Sequence, residues 1–171
     1  QNIYLGLAFA TVLILATLFG LSPLLDLLGL EPAAKSVCIQ YMNAMCVAFP
    51  AMMIMSGFRY IVDAHVNTRY SLYIIGSSVL FQSIFNVLFI QGYGPIPALG
   101  GFGAGISTAI AYWYMMLCFL GLITFHKNFK HYRFWSSFTG PSWILIRDQL
   151  ALGIPIGLSI FAEISIFSAA G

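Results

Sequence analysis

From Ile3 to Leu25 the chain carries no Asp, Glu, Lys or Arg, and the same holds from Ser36 to Phe58 and from Tyr70 to Phe125. A helix needs about 20 consecutive apolar residues to cross a ~30 Å hydrocarbon core. Five apolar runs of that order can be drawn, at about residues 2–25, 34–58, 70–91, 103–125 and 151–171. The chain is 60% hydrophobic and 7% charged, against roughly 45–50% and about 25% for a soluble domain, so lipid has to supply the solvent that its surface lacks. Strands are excluded by pattern. A membrane strand alternates polar with apolar over about 10 residues, whereas Leu5 to Leu21 and Ile106 to Ile123 stay apolar on both parities. The expected fold class is an all-α polytopic membrane bundle, with about four full spans and the start of a fifth.

Turn formers and charges are concentrated in the connections, at Asp26 to Pro32, Arg59 to Arg69, Gln91 to Gly101 and Lys127 to Gln149. Arg59 and Arg69 flank the second connection, and Lys127, Lys130, Arg133 and Arg147 fill the fourth. The first holds Asp26 and Glu31 with Lys35 at its edge, and the third holds no charge. The excess of Lys and Arg on cytoplasmic loops therefore puts 59–69 and 127–149 inside, with residue 1 at the cytoplasmic side. Phe134, Trp135, Phe138 and Trp143 beside the cations of the fourth connection suit either a segment lying along the headgroups or a long, apolar-tinged loop. The chain opens and closes inside apolar runs without an initiator Met or a leader pattern, and it is expected to be an internal piece of a larger protein.

Several function classes fall away. A net charge of +2, with no stacking surface among the basic residues, argues against nucleic acid as a partner. Cys38 and Cys46 lie eight positions apart, about 12 Å along one helix, too far to bridge, so packing is their expected role and no metal or disulfide framework is present. Ser107 has no His or Lys on its own helix, and the histidines lie at a membrane edge, so an enzyme is not expected.

Glu163 is the most informative position, because it stands alone in an apolar run eight residues beyond Pro155, which is about 12 Å further along a helix and near the bilayer midplane. A carboxylate there costs on the order of 2.5 kcal/mol or more on insertion and commonly serves an ion or proton pathway; a packing role hydrogen-bonded to a neighbouring helix is the alternative. Gly153, Pro155 and Gly157 surround the start of that run, where a missing N–H and two small residues favour either bending or close approach. Gln82 and Asn86 are spaced i, i+4 and share a helix face, as ligands or as interhelical links, and spacing alone favours the links. Gln40 and Asn43 repeat that signal more weakly. Gly101, Gly105 and Ala109 present a small-residue face for close helix packing; a phosphate loop is excluded because no Lys follows in the required spacing. Arg59, Asp63, His65 and Arg69 read as a solvated, topology-setting loop or as an ion-pair latch, and His126 and His131 as headgroup-level residues. Met42, Met45, Met52, Met53 and Met55 suit packing or an adaptable cavity.

Three stretches, Asn86 to Gly92, Pro97 to Gly105 and Ser107 to Trp113, together resemble the fifth and sixth helices of the MATE (multidrug and toxic compound extrusion) transporters in their NorM-like branch. Leu152 to Glu163 resembles the start of that family's seventh helix, acidic residue included. The resemblance covers essentially the whole chain and rests on the order and spacing of these motifs.

What the resemblance implies is a twelve-helix fold in two lobes, with residues 1–126 in the first lobe, 127–149 as the cytoplasmic linker and 150–171 opening the second. It implies secondary active export of organic cations or amphipathic drugs, driven by Na⁺ or H⁺, with no cofactor beyond the coupling ion and with membrane lipids and the rest of the chain as partners. Glu163 falls on the family's seventh-helix acid implicated in cation coupling, and Asn86 on a fifth-helix polar position. Gln82 stands where related members often have a second Asn, so the reach of that amide differs. A flippase for lipid-linked saccharides, in which more cavity cations are expected, and a non-transporting scaffold subunit are the alternatives.

Overall fold

The computed structural model describes residues 2–27, 29, 31–65, 68–92, 97–126 and 143–170. Among these residues the chain forms α1 (Asn2–Leu27), α2 (Pro32–Met45), α3 (Ala48–His65), α4 (Thr68–Gln91), α5 (Gly100–Phe125) and α6 (Trp143–Ala170). Ile3–Leu27, Thr68–Gln91 and Gly100–Phe125 are long and apolar enough to cross a membrane, and α2 with α3 makes a fourth span that is bent by 53°. This is the all-α, multi-pass membrane fold expected from the uncharged runs.

The second apolar run is not one straight helix. Pro50 lies three residues into α3; it has no N–H to offer the Cys46 carbonyl four residues back, and its ring crowds that carbonyl. The helix accordingly breaks at Cys46 and Val47. Two boundaries also differ from the sequence reading. Helix α3 continues through Arg59 to His65, so most of the expected second connection is helical, and an Arg59–Asp63 ion pair spans one turn of it. Helix α6 opens at Trp143, so the last residues of the expected 127–149 connection are helical too, while Lys127, Lys130, Arg133 and His131 lie outside the described residues.

Left-handed glycines end two of the spans. Gly29 follows α1 with φ 62° and Gly92 follows α4 with φ 72°, conformations that only glycine adopts without strain. Pro32 opens α2, where a missing N–H removes no helical bond.

Helix α5 is the centre of the bundle, packing against α2, α3 and α4, while α1 lies on α3. On α3, Ala51, Met55, Phe58 and Val62 recur at helical spacing and meet Met115, Met116, Phe119 and Ile123 of α5 in the principal core cluster. Val62 and Phe119 are fully enclosed. Gly6 of α1 lets the backbone of Met53 come close. Met55 and Met53 thus serve packing. Large apolar side chains such as Phe19, Leu72 and Leu80 remain exposed, as expected where the surroundings are hydrocarbon.

The two ends of the bundle differ in charge. Lys35 pairs with Asp26 between α1 and α2, Val37 touches Gly101, and Leu99 N–H donates to the Phe89 carbonyl at 2.9 Å, so the first and third connections share one end. At the other end the Tyr70 and His126 rings meet edge-on at 5.4 Å, beside Arg59 and Asp63. The chain therefore alternates in direction, and Arg59 and Arg69 stand at a common end.

Candidate functional site

Several polar side chains inside the spans meet at the α4–α5 interface. Helices α4 and α5 run antiparallel, so rising numbers on α4 meet falling numbers on α5. Ser77 and the Tyr114 hydroxyl are 3.1 Å apart, Gln82 Nε2 donates to Thr108 Oγ1 at 3.1 Å, and Ser107 Oγ donates to Asn86 Oδ1. Thr108 and Ser107 also reach back to the Ala104 carbonyl, at 2.9 and 2.8 Å. Gln82, Thr108 and Ala104 thus form a short relay of hydrogen bonds, and the single Ser107 proton has two acceptors in reach, Asn86 Oδ1 and the same Ala104 carbonyl. Ser107 is fully enclosed, so its hydroxyl requires such partners in a medium without water.

Gln82 and Asn86 therefore sit together, as their i, i+4 spacing predicts, and the bonds they make are links between helices. Phe81, Phe85 and Phe89 stack in sequence along α4, and Phe81 lies 4.6 Å from the Tyr114 ring. Gly103 closes the same interface, since a Cβ there would lie 2.5 Å from the Phe89 carbonyl oxygen. The face carrying Gly101, Gly105 and Ala109 is turned toward α2, and a Cβ at Gly105 would meet Ala44 at 2.5 Å and the Tyr41 carbonyl at 2.7 Å. The small-residue face read from the sequence is in use.

On the other side of α5, next to the break in the second span, Asn43, Ala44, Val47, Phe102, Ile106 and Trp113 are among the residues lining an open cleft of ≈ 630 Å³. Trp113 Nε1 donates to the Val47 carbonyl at 3.1 Å. Sequence reading missed both the break and this link, although Pro50 in the middle of an uncharged run was the available signal.

Glu163 is exposed on α6, and among the described residues no hydrogen bond or ion pair joins it to the α4–α5 links. Among the described residues, nothing lies within 4 Å of where a Cβ would stand at Gly153 or Gly157, and α6 is helical on both sides of Pro155. Asp63 accepts from the Ser71 hydroxyl and stands 3.5 Å from the Arg59 guanidinium, tying α3 to α4 at the basic end. Arg69 is exposed. Among the described residues, no three His, Cys, Asp or Glu side chains gather as a metal site, and all three cysteines are free.

No family model matches the chain. Individual relatives do. It is 32% identical over 99% of its length to a probable multidrug resistance protein NorM of Geobacillus kaustophilus, covering 37% of that protein. Proteins of the same name from Oceanobacillus iheyensis and Streptococcus pneumoniae are 32% identical over 99% and 100% of the chain, which covers 38% of each. The chain thus spans well under half the length of the curated relatives it matches. A likeness over 99% of the chain to proteins named NorM supports a chain of the MATE type, in the NorM-like branch.

Proposed function

We propose that the chain works within a multidrug exporter that moves organic cations or amphipathic drugs out of the cell in exchange for Na⁺ or H⁺. The observation that carries this reading is the likeness along 99% of the chain to proteins named for multidrug resistance. The arrangement of the bundle supports it: apolar spans with a few amides and hydroxyls gathered at one interface offer a solute neutral hydrogen-bonding groups without a fixed charge. Glu163, the lone acid in the apolar part of α6, is the proposed coupling group. It holds the ion or the cationic drug in competition, so that loading one releases the other. Asn86 and Gln82 take the role of secondary polar contacts on the first-lobe side, and the glycines around Pro155 give α6 room to bend as the lobes rock. The end bearing Arg59 and Arg69 is assigned to the cytoplasm of a cell membrane by its basic residues.

The test is efflux of a fluorescent organic cation from vesicles under imposed Na⁺ or H⁺ gradients, in wild type and in Glu163→Gln. Export is expected to follow one gradient and to fall at least tenfold in the variant, with the protein still folded. Full gradient-driven export by Glu163→Gln would remove Glu163 from the mechanism, and no export by folded wild type under either gradient would overturn the reading.

A further inference from the structure

The bent span divides into two halves that are held to α5 in different ways. Below the break, Met55, Phe58 and Val62 of α3 interlock with Met115, Phe119 and Ile123 of α5, the arrangement in which side chains fix a helix against sliding. Above it, α2 lies on α5 at Gly101 and Gly105, where Val37, Ala44 and the Tyr41 carbonyl come against backbone that carries no Cβ. A contact of that kind permits shear. The half seated at these glycines is also the half with a polar outer stripe. Ser36, Gln40 and Asn43 follow one another at i, i+4 and i+7 and are exposed, and within a span such groups turn to water or to other protein segments and away from lipid tails.

At the joint, Pro50 removes the backbone bond that would otherwise continue the helix, and one side-chain bond bridges from outside: Trp113 Nε1 to the Val47 carbonyl. Trp113 is 40% exposed, at the wall of the cleft, so this bond can open without unpacking the core. The cleft of ≈ 630 Å³ beside the break gives the joint space to change its angle.

We propose that the break at Cys46–Val47 is a hinge, that the Trp113–Val47 bond latches its bent state, and that α2 with its polar stripe swings while α3 stays fixed on α5. Trp113 is then a positioning residue: it sets the angle of the wetted half-helix and does not itself carry the solute. The link to transport rests on the export reading; the hinge does not.

Spin labels at Ala34 and Tyr60, on a background with Cys38, Cys46 and Cys118 replaced, report the angle as a distance. Opening the 53° bend to a straight helix lengthens that separation by about 4 Å at 1.5 Å per residue. Trp113→Phe keeps the ring and removes only the donor, so it should increase the population at the longer distance, and Pro50→Ala should move nearly all molecules there. Wild type should divide between the two distances, with proportions that shift when tetraphenylphosphonium is added. A Trp113→Phe distribution identical to wild type overturns the latch, and so does a wild-type distribution that stays at one distance with and without the cation. If Pro50→Ala does not yield monodisperse protein, Trp113→Phe decides alone. Shifted distances in a protein that exports under neither gradient would leave the hinge standing and remove the export reading.

Discussion

Helix α5 meets α4 and α2 on different faces, and the two contacts solve the same problem by different means. Between hydrocarbon-facing helices there is little hydrophobic gain on association, so close approach and hydrogen bonds have to hold them. Toward α4, α5 uses both, with Gly103 against the Phe89 carbonyl and three polar pairs along the seam. Toward α2, among the described residues, it uses close approach through Gly101 and Gly105, with the Trp113 bond reaching past the end of α2 to the break. A seam pinned at several heights resists sliding, whereas one that is merely close does not. The α4–α5 pair is therefore read as the rigid frame and α2 as the part that moves against it.

Adding a methyl group separates the two seams most strongly. Alanine at 103 puts a Cβ 2.5 Å from the Phe89 oxygen, and alanine at 105 puts one 2.5 Å from Ala44 and 2.7 Å from the Tyr41 oxygen. Overpacking of this kind costs about 1–3 kcal/mol and at times more. Gly103→Ala is expected at the upper end, because parting α4 from α5 also stretches the Gln82 and Asn86 bonds. Gly105→Ala is expected at the lower end, because α2 can yield by shifting along α5. Thermal unfolding of the purified protein in detergent measures both, and a larger loss at 105 than at 103 would reverse the assignment of frame and moving part.

The polar pairs come next in size. Gln82→Ala and Asn86→Ala each remove one interhelical bond, worth about 0.6–2 kcal/mol in a membrane. The lower value is expected, since Thr108 keeps its bond to the Ala104 carbonyl and Ser107 can turn its proton to the same carbonyl when Asn86 is removed, so no buried hydroxyl is left without an acceptor. The double variant should cost close to the sum if the two links act independently. A double variant as stable as either single one would show that they act as a single network through Ala104.

Much of this arrangement was legible in the sequence, for physical reasons that also mark where legibility ended. Uncharged runs gave the spans because an uncompensated charge is costly anywhere along them, and the spacing of Gly101, Gly105 and Ala109 gave a packing face because three small residues at that spacing share one side of a helix. The break in the second span was hidden by the same evenness that revealed the span: 34–58 reads as continuous in hydropathy, and hydropathy does not register the one N–H that Pro50 lacks. Arg59, Asp63 and His65 looked like a loop because they are charged, although Arg59 and Asp63 at i, i+4 are also what a helix end displays. The Trp113–Val47 bond was beyond reach, since its partners are 66 residues apart and neither has a local reason to find the other. For Glu163 the sequence supplied an insertion cost and a likeness, and its role is carried by the efflux experiment.

The smallest expected effect lies at the basic end, where α3 and α4 are joined through Asp63. The Arg59 side chain is 49% exposed and that of Asp63 26%, and pairs of that kind contribute about 0–1 kcal/mol after solvent screening. Arg59→Ala is therefore expected to change stability by no more than about 0.5 kcal/mol, with the difference vanishing near 1 M salt, where the Debye length falls to about 3 Å. Asp63→Asn keeps an oxygen to accept from Ser71 and loses only the charge, so it should match Arg59→Ala, and the two together should cost no more than either alone. Because α3 is already locked to α5 by its core side chains, this end does not need the ion pair to stay closed. A loss well above 1 kcal/mol from Arg59→Ala would mean that the fixed half of the bent span depends on its charged end, and the division between an anchored α3 and a swinging α2 would have to be redrawn.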